Sequence, residues 1–182
     1  MRKTLLLGSV AAMAFGLTLT AAPAQALGGG DTLVSFTVGT VGGVSISPGL
    51  YVPGVAGTNT VNGTVASVVT DLRTGSNSWT DTVSTTDFTL VGATTPTGTA
   101  LIPAASAKLW TPTALVSIPG TATITNDHAT SGTALALSTT AATLLSAATT
   151  NVNVTALTHN LQIDTTGKAS GLFTGTLTQT VS

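Results

Sequence analysis

The sequence predicts an all-β protein, an antiparallel β-sandwich of roughly eight to eleven short strands. About a fifth of the chain is Thr, a β-branched residue that suits a pleated surface. Val, Leu and Ile recur at strand spacing, and Gly, Pro and Asn turn signals separate the apolar runs. A disordered Ser/Thr-rich stalk is the alternative, but such stalks are rich in Pro and this chain has 7.

The first residues resemble a targeting segment. Arg2 and Lys3 form a basic start, an apolar run follows, and Ala-Gln-Ala at 24–26 matches a cleavage site. We therefore expect a secretory signal peptide over residues 1–26 and a single secreted or wall-located domain over 27–182. A transmembrane anchor is the alternative, but the apolar run contains Gly, Ser and Thr and ends without stop-transfer charges.

The predicted mature domain carries few charges. Of the 5 Lys and Arg residues, two lie in the expected signal peptide, which leaves three against 6 Asp and a net charge of −3. Nucleic-acid binding depends on Lys and Arg that neutralise phosphates, so this charge balance argues against a nucleic-acid partner. There is no Cys for a lipid anchor, and the final residues GTLTQTVS are not a hydrophobic tail. We expect no membrane anchor in the mature chain.

Three stretches carry clear strand patterns. Residues 172–181 alternate apolar residues with Thr, as expected for a strand with one exposed face. Residues 157–163 place His159 among Leu and Ile on a single face. Residues 65–72 carry apolar residues on both faces, which predicts a strand buried on both sides.

Two other stretches are the candidates for helix. Residues 141–148 are good helix formers over about two turns. Residues 102–107 predict a short turn. Turns between strands are indicated by Pro48-Gly49 and Pro53-Gly54, among other signals.

One of only 2 tryptophans lies in the polar run SNSWTDTVSTTDF. Strand alternation puts Trp79, Asp81 and Val83 on one face. The indole is expected to supply much of the bulk of a core made otherwise of small aliphatic residues. Asp81 shares that face, so it is expected either to lie near the end of a sheet or to find a hydrogen-bond partner, for which Arg73 is a candidate.

The motifs contain no catalytic constellation. His128 lies in a polar loop, His159 lies in a strand, and no G-x-S-x-G elbow occurs, so both histidines are predicted to be structural. Scattered Asp residues without any Glu disfavour a paired-carboxylate glycosidase and a calcium loop. Asp71 and Asp87 are expected to cap turns. We expect no enzyme, no cofactor and no metal, and a secreted hydrolase is the least favoured class.

Three stretches match, in order, motifs of a known family. VTDLRTGSNSWTDTVSTTDF (69–88) resembles a V-T-D-x-R-G-type turn followed by a Gly-Trp-x-Leu strand. LIPAASAKLWTP (101–112) resembles an I-P-A-S-A-x-x-[WY]-x-P segment. GLFTGTLTQTVS (171–182) resembles a closing G-x-[YF]-x-G-T-[LI]-T strand that carries a second Trp-x-Leu. The family is the WxL-domain cell-wall-binding surface proteins of Gram-positive bacteria, with their secreted actinobacterial relatives, and the resemblance spans residues 32–182.

The chain departs from this family at three motif positions. Trp79 is retained, but Asp81 replaces the Leu of the first motif; Gln179 and Val181 replace the Trp and Leu of the second. The resemblance implies a secreted β-sandwich that binds peptidoglycan, with Trp79 and Trp110 as possible wall-contact or motif residues.

The predicted function is that of an exported, non-enzymatic cell-surface protein. Its partner would be peptidoglycan or another glycan of the Gram-positive cell wall, bound noncovalently. The alternative is a self-assembling structural subunit of a surface fibre or layer, in which exposed edge strands pair with further copies or with other surface proteins.

Overall fold

The computed structural model describes residues 32–41, 43–56, 59–75, 77–112, 116–118, 123–150 and 152–182; the predicted signal peptide lies outside these ranges. Within them the chain forms two curled sheets that pack together, which confirms the all-β sandwich. Thirteen strand segments are present there, and eleven of them have three residues or more. In chain order the strands are β1 (Thr32–Val41), β2 (Val44–Ala56), β3 (Thr60–Asp71), β4 (Asn77–Thr85), β5 (Phe88–Leu90), β6 (Leu101–Ile102), β7 (Ala107–Trp110), β8 (Val116–Ile118), β9 (Thr123–Thr125), β10 (Leu135–Ala136), β11 (Ala142–Thr150), β12 (Asn153–Asp164) and β13 (Phe173–Val181).

Strand β1 joins the two sheets. Residues 32–39 pair in parallel with β13, and residues 40–41 pair antiparallel with β2. Sheet A has the order β1-β13-β4-β11-β9, with β5 and β6 beside β13. Sheet B has the order β10-β7-β12-β3-β2-β1, with β8 also beside β12. Apart from β1 with β13, every pairing among the described residues is antiparallel.

Each sheet buries one face and exposes the other. In β3, Val65 and Val69 are fully buried, whereas Ala66 between them is exposed and Leu72 just beyond the strand is 67% exposed. The prediction that residues 65–72 are buried on both sides is therefore wrong. Sheet A covers only the inner face of sheet B, so the alternate residues of β3 point outward.

The core fills the space between the two sheets. Trp79 is 1% exposed, which confirms the packing argument for its indole. The largest fully buried side chains are Trp79, Phe88, Phe173, Ile102, Leu109, Leu137, Leu144, Leu145, Leu157, Leu161, Ile163 and Leu177. A Cβ atom at Gly175 would lie 2.8 Å from Phe88 Cε1, which is too close for two carbon atoms. Glycine at this position therefore allows the Phe88 ring to pack directly against β13.

The candidate helix over residues 141–148 is wrong, because this segment is strand β11. It pairs with β4 on one side and β9 on the other. The pairing with β4 shifts register between Thr143 and Leu145, and Leu144 and Leu145 are both buried. A bulge that turns two consecutive leucines inward breaks the alternation by which a strand is recognised, and tertiary pairing overrides the helix propensity.

Two predicted turns also prove to be irregularities within a strand. Strand β2 runs through Pro48-Gly49 and Pro53-Gly54, and its register with β3 shifts at both places. Proline and glycine are tolerated in a strand at such bulges. The short turn predicted within residues 102–107 is confirmed as a 3-10 helix at Ala104–Ser106, and Asp87 Oδ1 accepts a hydrogen bond from Ala104 N at 2.8 Å.

Replacing the core indole tests this packing. We expect Trp79→Ala to lower the free energy of unfolding by about 3–5 kcal/mol, as for other large buried side chains, measured by urea unfolding. Trp110→Ala, at a half-exposed site, is the matched control and should cost less. In a folded Trp110→Phe variant, Trp79 should emit at short wavelength and resist acrylamide quenching; red-shifted, freely quenched emission would contradict its burial.

Candidate functional site

The outer face of sheet B carries amide side chains beside an aromatic ring. On β12, Asn160 lies opposite Trp110 of β7, and Gln162 lies opposite Lys108. Gln162 also lies opposite Asn62 on β3, its other neighbour. Directly opposed residues of an antiparallel pair point to the same side of the sheet, and all five are half-buried. These five residues are named the amide platform.

The amide platform stands on a well-packed base. Gln162 Nε2 donates to Asn62 Oδ1 at 2.8 Å, which fixes two amides relative to each other across neighbouring strands. The intervening residues Leu109 and Leu161 are buried in the core. The strands are therefore anchored on their inner side, and the platform side chains point to the outer face. Amides offer hydrogen-bond donors and acceptors, an indole offers a flat apolar surface, and Lys108 adds one positive charge.

Of the two tryptophans predicted as site residues, only Trp110 reaches solvent. Trp79 lies in the core, and its Nε1 has no hydrogen-bond partner among the described residues. Its role is packing, whereas Trp110 belongs to the amide platform.

A second polar group lies inside the sandwich, on the other side of the same strands. We call it the buried polar cluster; its members are Ser67, Asp81, Thr111, His159 and Gln179, each at most 4% exposed. Asp81 and Gln179 come from sheet A, and the other three come from β3, β12 and the residue after β7. The cluster therefore connects the two sheets through the core.

His159 is the centre of the buried polar cluster. Its Nδ1 lies 2.8 Å from Thr111 Oγ1, and its Nε2 lies 3.0 Å from Ser67 Oγ. Gln179 Nε2 is 3.1 Å from His159 Nε2 and donates to Asp81 Oδ2 at 2.8 Å. The histidine thus contacts residues of both sheets.

These contacts select one form of the imidazole. Because an amide nitrogen can only donate, the Gln179 amide facing His159 requires Nε2 to be an acceptor. The proton of the neutral ring then lies on Nδ1 and is donated to Thr111 Oγ1. Burial disfavours the charged ring and lowers the pKa of His159 to about 4.

Asp81 has the opposite shift. Burial, only partly offset by the hydrogen bond from Gln179, raises the pKa of Asp81 to about 7. Its Oδ1 has no partner among the described residues, so the charge receives little compensation. The expectation that Arg73 pairs with Asp81 is wrong.

Arg73 instead forms a forked ion pair with Asp71. Its Nε donates to Asp71 Oδ1 at 2.9 Å and its Nη2 to Oδ2 at 3.0 Å. Arg73 N also donates to Asp71 Oδ1, and Nη2 donates to Ser78 O at 2.7 Å. The ion pair closes the turn from β3 to β4, which confirms the predicted capping role of Asp71. Arg73, which belongs to the motif at 69–88, therefore stabilises this turn.

Sequence reasoning missed Ser67, Thr111 and Gln179. A signal was present for Gln179, because it shares its strand face with apolar residues at a spacing of two, as Asp81 and His159 do on their strands. Three polar residues at inward positions require one another as partners. His128, the other histidine considered, lies apart; its Nδ1 contacts Thr133 O at 2.6 Å.

No family model, curated protein or solved structure matches the chain. In the described part of the chain, no three His, Asp or Glu side chains are grouped so that they could hold a metal. No helix in that part is both long and apolar enough to cross a membrane.

The two shifted groups predict opposite dependences of stability on pH. His159 stays neutral in the fold down to about 4, so its contribution is full above its ordinary value of 6.5 and is lost as the pH falls toward 4. Asp81 keeps its proton in the fold up to about 7, so its contribution is full below 3.8 and is lost as the pH rises toward 7. Between about pH 4 and 6.5 both groups affect the free energy of unfolding, and their two opposite pH dependences cancel.

Single substitutions should expose each slope. Relative to that of the unsubstituted protein, the free energy of unfolding of Asp81→Asn should fall by about 1.4 kcal/mol for each pH unit as the pH is lowered through this window. His159→Gln should lose stability as the pH rises. Urea unfolding at successive pH values measures both, with the exposed carboxyl variant Asp127→Asn as control. Parallel curves for all four proteins would contradict the assignment.

Proposed function

We propose that this chain is an exported, non-enzymatic surface protein that associates noncovalently with peptidoglycan of the Gram-positive cell wall. The amide platform on the outer face of sheet B is the main support for this function. An indole beside a row of amides suits a glycan, because the ring stacks on the apolar face of a sugar while the amides bond its hydroxyl and acetamido groups.

The resemblance to WxL domains supports the same partner, although the motif positions have roles inside the fold. Trp79 packs in the core, and Asp81 and Gln179, at two of the departures, hydrogen-bond to each other there. Val181, at the third, is also buried. The departures therefore change the interior of the sandwich, and the proposed wall contact is made by the outer face around Trp110.

Charge plays a small part in the proposed contact. The mature chain is acidic, with a net charge of −3 from three basic residues and 6 Asp. Attraction to anionic wall polymers is therefore unfavourable, and Lys108 is the one cation of the platform. Stacking and hydrogen bonds should persist in about 0.5 M salt, which screens interactions between exposed charges.

Self-assembly into a surface fibre or layer is the second candidate. It is favoured by apolar side chains exposed at one end of the outer face of sheet B: Leu72 at 67%, Val152 at 38% and Val154 at 38%. Val154 lies opposite Thr70 on β3, Leu72 comes just after the last paired residue of β3, and Val152 comes just before the first paired residue of β12. An apolar end of this kind suits contact with a further copy.

Sedimentation with purified Gram-positive peptidoglycan tests the proposed function. We expect the protein to pellet with the wall material, with little loss up to about 0.5 M salt. Trp110→Ala and a double Asn160→Ala, Gln162→Ala variant should each weaken binding, and Trp110→Tyr should restore most of it because an aromatic face remains.

The matched control is a double Thr82→Ala, Thr180→Ala variant on the outer face of sheet A, which should bind normally. Binding only at low salt would make the contact electrostatic and contradict the mechanism. No pelleting at any salt, together with elution above monomer size in size-exclusion chromatography, would favour self-assembly instead.

A further inference from the structure

In the buried polar cluster, a serine hydroxyl and a carboxamide both lie within hydrogen-bond distance of one imidazole nitrogen. Ser67 Oγ lies 3.0 Å from His159 Nε2, and Gln179 Nε2 lies 3.1 Å from the same atom. The hydroxyl and the amide nitrogen are thus no further apart than those two distances combined. Ser67 belongs to β3 of sheet B and Gln179 to β13 of sheet A, so a bond between them would cross the sandwich.

We propose that the chain forms an intramolecular ester between Ser67 Oγ and Gln179 Cδ, with release of ammonia. Ser67 Oγ attacks the carbonyl carbon while its proton passes to His159 Nε2. The Cδ–Nε2 bond of Gln179 then breaks, and His159 returns the proton to the departing nitrogen, which leaves as ammonia. The histidine ends neutral, and the step needs no oxidant, reductant or further reactant.

The contacts of His159 suit this relay. Its Nε2 is the acceptor nitrogen, faces both nucleophile and leaving group, and so can take and return one proton. Thr111 Oγ1 binds the opposite nitrogen at 2.8 Å and holds the ring in position. A pKa of about 4 makes His159 a weak base, but a cross-link that forms once per molecule requires only a slow reaction.

Asp81 is a positioning residue on the far side of the leaving nitrogen. Its Oδ2 accepts the hydrogen bond from Gln179 Nε2 at 2.8 Å and orients the amide. The members of the cluster are at most 4% exposed, so water, which would hydrolyse the ester, is excluded. Ammonia lost to solvent makes the reaction effectively irreversible.

The chain has 0 Cys and therefore no disulfide, so an ester at this position would be its covalent cross-link between the two sheets. It would join β3 to the last strand and close a long loop, which restricts the unfolded chain. Formation of the ester does not depend on the proposed glycan binding, because every atom involved lies in the core.

Mass spectrometry of the denatured protein tests the proposal. Folded protein, kept at mildly alkaline pH, should be lighter than its sequence by the mass of one ammonia. Trypsin cleaves the domain after Arg73, Lys108 and Lys168. The peptide that ends at Arg73 and the peptide 169–182 should be recovered as one linked species, and hydroxylamine should separate them.

Variants distinguish this ester from other losses of ammonia. Ser67→Ala and His159→Gln should remove the linked species, and Thr111→Val should slow its formation. Ser84→Ala, on the outward side of β4, is the matched control and should leave it intact. Near-ultraviolet circular dichroism checks that each variant is folded.

The sequence Asn62-Gly63 can also lose ammonia by forming a succinimide, but that product stays within a single peptide. Recovery of an unlinked peptide 169–182 at its sequence mass, from folded protein after prolonged incubation, would overturn the proposal. Persistence of the linked species in Ser67→Ala would overturn it as well.

Discussion

The burial of polar groups between the two sheets constrains the rest of this structure. His159 bonds with Thr111 and Ser67 on its own sheet side and with Gln179 on the other. An unpaired polar group in a core costs roughly 1–3 kcal/mol, so each of these contacts favours the packing that brings the partners together. A slip of β13 by one residue would turn Gln179 outward and leave His159 and Asp81 without it. The buried polar cluster therefore disfavours a shift in the register of β13.

Composition and alternation were sufficient to predict the fold class and the inward positions of Trp79 and His159. They also indicated that Asp81 needs a partner, but proximity in sequence pointed to Arg73. The true partner, Gln179, is 98 residues away and is reached only because β13 pairs with β4. Pairing between distant strands is a property of the whole fold, so a local pattern does not contain it.

The same reason limits what could be predicted of the site. Trp110 was a candidate from the sequence, yet the amides beside it were not, because Gln162 and Asn62 are 100 residues apart and meet by strand pairing. Irregular strands caused the errors at residues 141–148 and at the two Pro-Gly pairs of β2. The bulge in β11 buries consecutive leucines, and β2 accommodates Pro-Gly pairs that elsewhere mark turns. Periodicity describes regular strands and fails where a bulge shifts the alternation.

Titration of His159 by nuclear magnetic resonance tests whether a neutral histidine joins the two sheets through the core. The chain has 2 His, so a His128→Gln variant assigns the signals. We expect the His159 ring to remain neutral as the pH is lowered and to take up a proton only near a pKa of about 4. Protonation at the ordinary value of 6.5, in a protein that remains folded, would show that the imidazole is solvated and that it does not join the sheets through a dry core.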